Sequence, residues 1–96
     1  MAGAAYITSS STGHSEWPSR VTSQGSDNVI INGNGAHRQG DGWPVHCNPL
    51  GECHAGSTSG GSGSVLVNGK PLARIGDNIS CGGSIATGSD NVLVGD

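Results

Sequence analysis

The feature that most constrains this chain is an internal repeat. Residues 25–41, GSDNVIINGNGAHRQGD, align with residues 61–77, GSGSVLVNGKPLARIGD, and eight of the seventeen positions are identical. A third, truncated copy, GSDNVLVGD, runs from Gly88 to Asp96. Self-similarity at a period of a few tens of residues marks supersecondary units that cannot bury their apolar faces alone and must stack on one another. The copies start 36 and then 27 residues apart, and residues 42–56, GWPVHCNPLGECHAG, read as a loop inserted after the first.

Each copy has a mechanical reading. Val29-Ile30-Ile31, Val65-Leu66-Val67 and Val92-Leu93-Val94 are short β-branched runs, and the first two lead into Asn-Gly. Asn-Gly adopts the paired positive φ angles of a two-residue hairpin turn. Return strands are expected over residues 35–38 and 71–75, ended by the turns Gly40-Asp41 and Gly76-Asp77. Arg38 with Asp41, and Arg74 with Asp77, are expected to form local ion pairs at the hairpin ends. Helix is disfavoured, because glycine costs about 1 kcal/mol relative to alanine inside one and the chain holds 18 glycines. The expected fold is all-β: one domain over residues 1–96, built of short strands and hairpins with pseudo-threefold repeats around a shared axis.

Such a fold has little oil to hold it. Val, Ile, Leu and Phe together supply 17 of the 96 residues, and only 11% are charged, so the chain lacks both an ordinary core and the charge density of ordinary disorder. Four Lys and Arg against seven acids, net −3, leave no basic stripe for phosphates, which excludes nucleic acid as a partner. No apolar run approaches the ~20 residues of a membrane span, and Met1 to Ile7 does not read as a secretory leader.

The repeats leave His14, His37, His46, Cys47, Cys53, His54 and Cys81 unexplained. His46-Cys47 and Cys53-His54 sit at the two ends of the insert, Cys81 follows the second copy, and His14 precedes the first. The connections between copies thus carry soft and borderline ligands, and threefold packing would gather those connections at one end. A closed set of four His and Cys is what structural Zn2+ prefers, and His14, His46, His54 and Cys81 are candidates for it, although with no tight Cys-x-x-Cys pair spacing alone does not select them. Apparent structural-zinc affinities of about 10–16 kcal/mol match the whole net stability of a typical domain, roughly 5–15 kcal/mol. His37 lies inside the repeat and reads as a solvated histidine. Three cysteines without an export signal argue against a Cys47–Cys53 disulfide. A nucleophile pair from Cys47 and His46, or a zinc hydrolase from His46, His54 and Glu52, lacks an evident pocket in so small a chain, so no catalytic residue is assigned and the chain is not read as an enzyme.

Asn68-Gly69-Lys70-Pro71-Leu72-Ala73-Arg74-Ile75-Gly76-Asp77 resembles the signature of the PAAR-repeat family, Pro-Ala-Ala-Arg followed by a residue and Gly-Asp, with Leu72 for the first alanine. Asn32 to Asp41 resembles a worn copy, with Gly35 for the proline and His37 for the second alanine. Thr12-Gly13-His14, Ser80-Cys81-Gly82-Gly83 and the closing Gly88 to Gly95 fit as well. The resemblance implies a small cone-shaped β protein that caps the blunt end of a trimeric β-helical spike, one copy per trimer. Such spikes belong to contractile injection machines: the central spike of a phage tail, or the valine-glycine repeat protein of type VI secretion. It implies a sharpened tip that touches the target membrane transiently, and a Zn2+ held by three histidines and one cysteine, hence His14, His46, His54 and Cys81, with Cys47 and Cys53 as competitors and His37 replacing an alanine. A virion tail tip is the preferred location, with the bacterial cytoplasm followed by type VI export as the other. A free-standing zinc-binding adaptor for another protein is the alternative of a different class.

Overall fold

The computed structural model describes residues 2–13 and 17–94. Among them are eight short strands and no helix: β1 (Ala2–Gly3), β2 (Ile30–Ile31), β3 (Asn34–Gly35), β4 (Gly42–Cys47), β5 (Cys53–Ser57), β6 (Leu66–Val67), β7 (Lys70–Pro71) and β8 (Leu93–Val94). They pair antiparallel as β1–β8, β2–β3, β4–β5 and β6–β7. Asn-Gly behaves as its chemistry predicts. Asn32 and Gly33 take φ of +50° and +84°, and Asn68 and Gly69 take +54° and +80°, the two left-handed residues of a type I′ turn.

The return strands are shorter than the sequence predicts. Each leaves its hairpin after two residues and bridges to a neighbouring unit instead, through Tyr6 with Ala36, Arg38 with Leu72, and Ala4 with Arg74. The cause is a closed cycle at the centre of the molecule. Ala5 N–H donates to Ala73 O at 2.9 Å, Ala73 N–H to His37 O at 3.0 Å, and His37 N–H to Ala5 O at 3.0 Å. A backbone group committed to this cycle cannot also extend a hairpin ladder.

The third unit is assembled from both ends of the chain. β8 carries its first half and β1 its second, with Ala2 opposite Val94 and Gly3 opposite Leu93, the register that sets Asn34 opposite Ile31 and Gly35 opposite Ile30. Residues 4–9 therefore stand where 36–41 and 72–77 stand in the other units. The match extends to hydrogen bonds: Tyr6 N–H donates to Ser9 Oγ at 3.0 Å, Arg38 N–H to Asp41 Oδ2 at 2.9 Å, and Arg74 N–H to Asp77 Oδ2 at 2.8 Å. Thr8 takes φ +88° where the other units have Gly40 and Gly76 at +94°, a strained place for a β-branched residue.

The Gly-Ser that opens every copy now has a reason. Ser26, Ser62 and Ser89 are buried, and each Oγ accepts the N–H three residues on, from Val29 at 2.9 Å, Val65 at 2.9 Å and Val92 at 2.8 Å. A Cβ on the preceding glycine would meet a neighbouring unit or strand, Ala36 O at 2.8 Å from Gly25, Pro71 Cβ at 2.7 Å from Gly61 and Ala4 O at 2.6 Å from Gly88.

One small core, of Ala4, Ile31, Ala36, Val67, Leu72 and Val94, draws two residues from each unit. A second joins Ala5 and Ala73 to Trp43, Ile79 and Ile85 from the connections. Because strand side chains alternate, Ile30, Leu66 and Leu93 beside the buried residues stay 57%, 62% and 50% exposed. The expected ion pairs form, Arg38–Asp41 at 2.8 Å and Arg74–Asp77 at 2.9 Å.

The reading of His37 as solvated is corrected: it is the third member of the central cycle and fully buried. The Gln24 carbonyl can only accept, so His37 Nδ1–H donates to it at 2.7 Å. Trp43 Nε1–H donates to Thr58 Oγ1 at 2.9 Å, leaving the Thr58 hydroxyl to donate to His37 Nε2 at 2.7 Å. Burial pushes the His37 imidazolium pKa below its ordinary value, against the opposing pull of the Gln24 carbonyl and Asp41 and with the help of Arg38.

Candidate metal centre

After Ser9, Asp41 and Asp77 the chain leaves the threefold body and doubles back, closing with Ser10 opposite Val21, Gly42 opposite Ser57 and Asn78 opposite Ser84. The three excursions differ in length but start from equivalent points, so they gather at one end of an elongated molecule of 39 × 24 × 20 Å. The longest-stranded is the β4–β5 hairpin, where the sequence predicts an inserted loop. Its tip is organised by Asn48, whose Oδ1 accepts the N–H groups of Leu50 at 3.1 Å and Glu52 at 2.9 Å.

The hairpin is not regular. Trp43 faces Gly56 and His46 faces His54, so Pro44 and Val45 stand opposite Ala55 alone. Such a bulge re-aims the strand, and here both Trp43 and His46 are buried while Pro44 and Val45 between them are exposed. Trp43 enters the core and His46 the surface cluster above it.

That cluster is His46, His54 and Cys81, whose ligand atoms all lie within 4.8 Å of one another. The two imidazole centroids are 4.5 Å apart, and Trp17 stacks on His54 at 4.7 Å with planes 19° apart. Gly56 lets the Cys81 turn close on the hairpin, since a Cβ there would meet Cys81 Sγ at 3.2 Å. His46 Nδ1 lies 2.9 Å from both the Pro18 carbonyl and Arg20 Nη1, and Nε2 is buried; a proton on Nδ1 given to the carbonyl is the bond that orients a ligating histidine and leaves the lone pair on Nε2. Two imidazoles and a thiol so disposed can hold a metal ion. His14, the fourth expected ligand, lies outside the described residues. Of the described residues near it in sequence, Trp17 stacks on His54, and Gly13 lies against Gly83, two residues beyond Cys81.

The expectation against a disulfide is corrected. Cys47 and Cys53 are bonded to each other, and as the register pair next to His46 and His54 they alternate to the other face of the hairpin. The bond removes them as competitors and leaves Cys81 as the free thiol among the described residues. Sequence reasoning missed the three residues that shape the cluster, Trp17, Pro18 and Gly56. Trp17-Pro18 beside His14 and a glycine two residues after His54 were the available signals.

The family model for the PAAR motif matches residues 12–87 of the 96. No curated protein matches the chain.

Proposed function

The chain belongs to the PAAR-motif family, and from that premise we propose that it is a structural spike-tip protein. It caps the blunt end of a trimeric β-helical spike in a contractile injection apparatus, one copy per trimer, and meets the target membrane with its opposite end. The observation that carries the reading is the set Ile30, Leu66 and Leu93, large apolar side chains left exposed at equivalent positions of the three units. A single chain with three like patches offers a threefold partner the same contact three times, and exposed apolar groups arranged this way are characteristic of a binding face.

Zn2+ is the ion this donor set suits, with His46, His54 and Cys81 as ligands and His14 completing four. Held there, it would tie the three excursions together at the end of the molecule where they gather. The role is mechanical and assigns no reaction to any residue. In a phage the protein would sit at the tail tip of the virion; in type VI secretion it would be made in the cytoplasm and exported on the spike.

The test is binding to purified trimeric β-helical spikes, of the phage central-spike and valine-glycine repeat types, with stoichiometry from native mass spectrometry. One chain per three spike chains is expected, and Leu66→Asp should weaken the complex at least about tenfold by placing a charge in an apolar contact. One-to-one binding, or none to either type, would favour an adaptor for some other protein.

A further inference from the structure

One cation reaches the cluster from a segment that donates none of its described ligands. Arg20 is anchored on Ser11, whose N–H donates to Arg20 O at 2.8 Å and whose Oγ accepts Arg20 N–H at 3.1 Å. All three guanidinium nitrogens are engaged: Nε donates to the Pro44 carbonyl, Nη1 contacts His46 Nδ1 at 2.9 Å, and Nη2 donates to Cys81 Sγ at 3.8 Å. The guanidinium carbon lies 5.8 Å from the centroid of the Trp43 ring. Among the described residues no carboxylate pairs with it. Besides the Pro44 carbonyl, its partners are an imidazole and a sulfur, two groups otherwise suited to a metal.

His46 Nδ1 thus has two suitors at 2.9 Å with opposite demands. The Pro18 carbonyl needs a proton on Nδ1, which leaves the lone pair on Nε2. The Arg20 N–H needs the lone pair on Nδ1, which puts the proton on Nε2 and disqualifies that atom as a ligand. One nitrogen cannot satisfy both at once.

We propose that Arg20 is the stand-in cation of the metal-free centre. Its fork ties β4, His46 and the Cys81 turn together before any metal arrives and holds His46 in the non-ligating tautomer; metal binding transfers Nδ1 from Arg20 to the Pro18 carbonyl. The bond to Cys81 Sγ uses a sulfur lone pair that a bound metal leaves over, so it can persist in both states. Two effects make Arg20 weaken metal binding: a tautomer that must be given up lowers apparent affinity by the competent fraction, and a guanidinium beside a divalent ion repels it. Arg20 is a positioning residue that keeps the tip ordered without metal and keeps the metal exchangeable. The inference rests on the metal-site reading above.

The variant is Arg20→Met, which keeps an apolar stem on Trp43 and removes charge and donors. Co2+ affinity is read at fixed pH by competition with a chelator, using the thiolate-to-cobalt charge-transfer band. Arg20→Met should bind Co2+ about tenfold more tightly than wild type, with an unchanged ligand-field spectrum. The metal-stripped variant should melt below metal-stripped wild type. Independently of any variant, long-range proton–nitrogen NMR of metal-stripped wild type should find His46 protonated on Nε2. Equal or weaker cobalt binding by Arg20→Met, or a metal-free His46 protonated on Nδ1, overturns the proposal while the metal reading stands. A wild type that develops no cobalt spectrum overturns both.

Discussion

His37 shows how one residue can be legible as unusual and still be misread. Its counterparts at the central cycle are Ala5 and Ala73, so the position faces the axis in every unit, and the repeat alignment already set His37 against an alanine. What the sequence could not supply were its partners, the Gln24 carbonyl and Thr58 hydroxyl, which come from two connections without regular pattern. Neutral His37 satisfies both. Protonated, it would offer Nε2–H to a Thr58 oxygen that already accepts from Trp43 and would leave the buried hydroxyl proton without its acceptor. Geometry and the lowered pKa agree on the sign. Above pH 6.5, the ordinary value, the ring is neutral in folded and unfolded chains alike. As pH falls below it, the unfolded chain takes up the proton first, so stability declines by up to about 1.4 kcal/mol per pH unit until the folded ring titrates. Melting curves between pH 7.5 and 5 with metal present should therefore show a loss that His37→Ala shares only in part. The variant should start about 2–4 kcal/mol less stable, from the cavity and the two stranded bonds, with a shallower dependence. Parallel curves for the two proteins would remove His37 as the source.

At the scale of elements, the hairpins turned by Asn-Gly could be read directly, because two residues determine the turn and the strands follow. The β4–β5 hairpin could not, since the bulge at Pro44 and Val45 breaks the alternation that would have announced a strand. Its disulfide was misjudged because counting cysteines and weighing compartment outvoted the local fact that Cys47 and Cys53 flank a five-residue turn. With the register known, the two kinds of crosslink at this end can be ranked. A disulfide closing so short a loop is worth about 2 kcal/mol in chain entropy, and Cys47 and Cys53 are exposed, so removing it should loosen the hairpin tip alone. Cys81 packs against the second core and lies beside both histidines, and under the proposed metal reading its loss would remove a ligand from a centre that can carry much of the folding free energy. With zinc present, Cys47→Ser/Cys53→Ser should raise amide exchange over residues 46–54 and leave the cycle at Ala5, His37 and Ala73 protected. Cys81→Ser should raise exchange across all three excursions and lower Tm further. If the double variant proved the more damaging, the hairpin would owe its order to the disulfide and the metal would be secondary.

The sequence shows two full units of the threefold body and the first half of the third. Residues 2–9 escaped because they carry Tyr6, Thr8 and Ser9 where the motif has arginine, glycine and aspartate, so only Ala4-Ala5 and the backbone bonds betray them. Around the base the units are also laced by asparagines: Asn68 Nδ2 donates to Asn28 Oδ1 at 3.0 Å, and Asn32 Nδ2 to Asn91 Oδ1 at 2.9 Å. In each bond the turn asparagine of one unit meets the opening turn of another. At the third corner β8 and β1, from the two ends of the described chain, pair in the register of the other hairpins, and that arrangement makes the symmetry testable by relocating the break. Joining Val94 to Ala2 through Asn-Gly would close the third hairpin with the linker the other two use, and opening the chain between Asn68 and Gly69 would leave β6 and β7 paired in the state of β8 and β1. Loop-closure entropy depends weakly on length and is nearly equal at the two sites, so the exchange should alter stability by no more than about 1 kcal/mol, or roughly 4–8 °C in Tm for a domain of this size. The rearranged chain should keep the cobalt spectrum of the parent, because the excursions that carry His46, His54 and Cys81 leave the body after Asp41 and Asp77, away from both relocated turns. A permuted chain that failed to fold, or that folded without the metal spectrum, would mean that the three corners are equivalent in geometry but not in energy, and that β1 and β8 hold together through something the other hairpins lack.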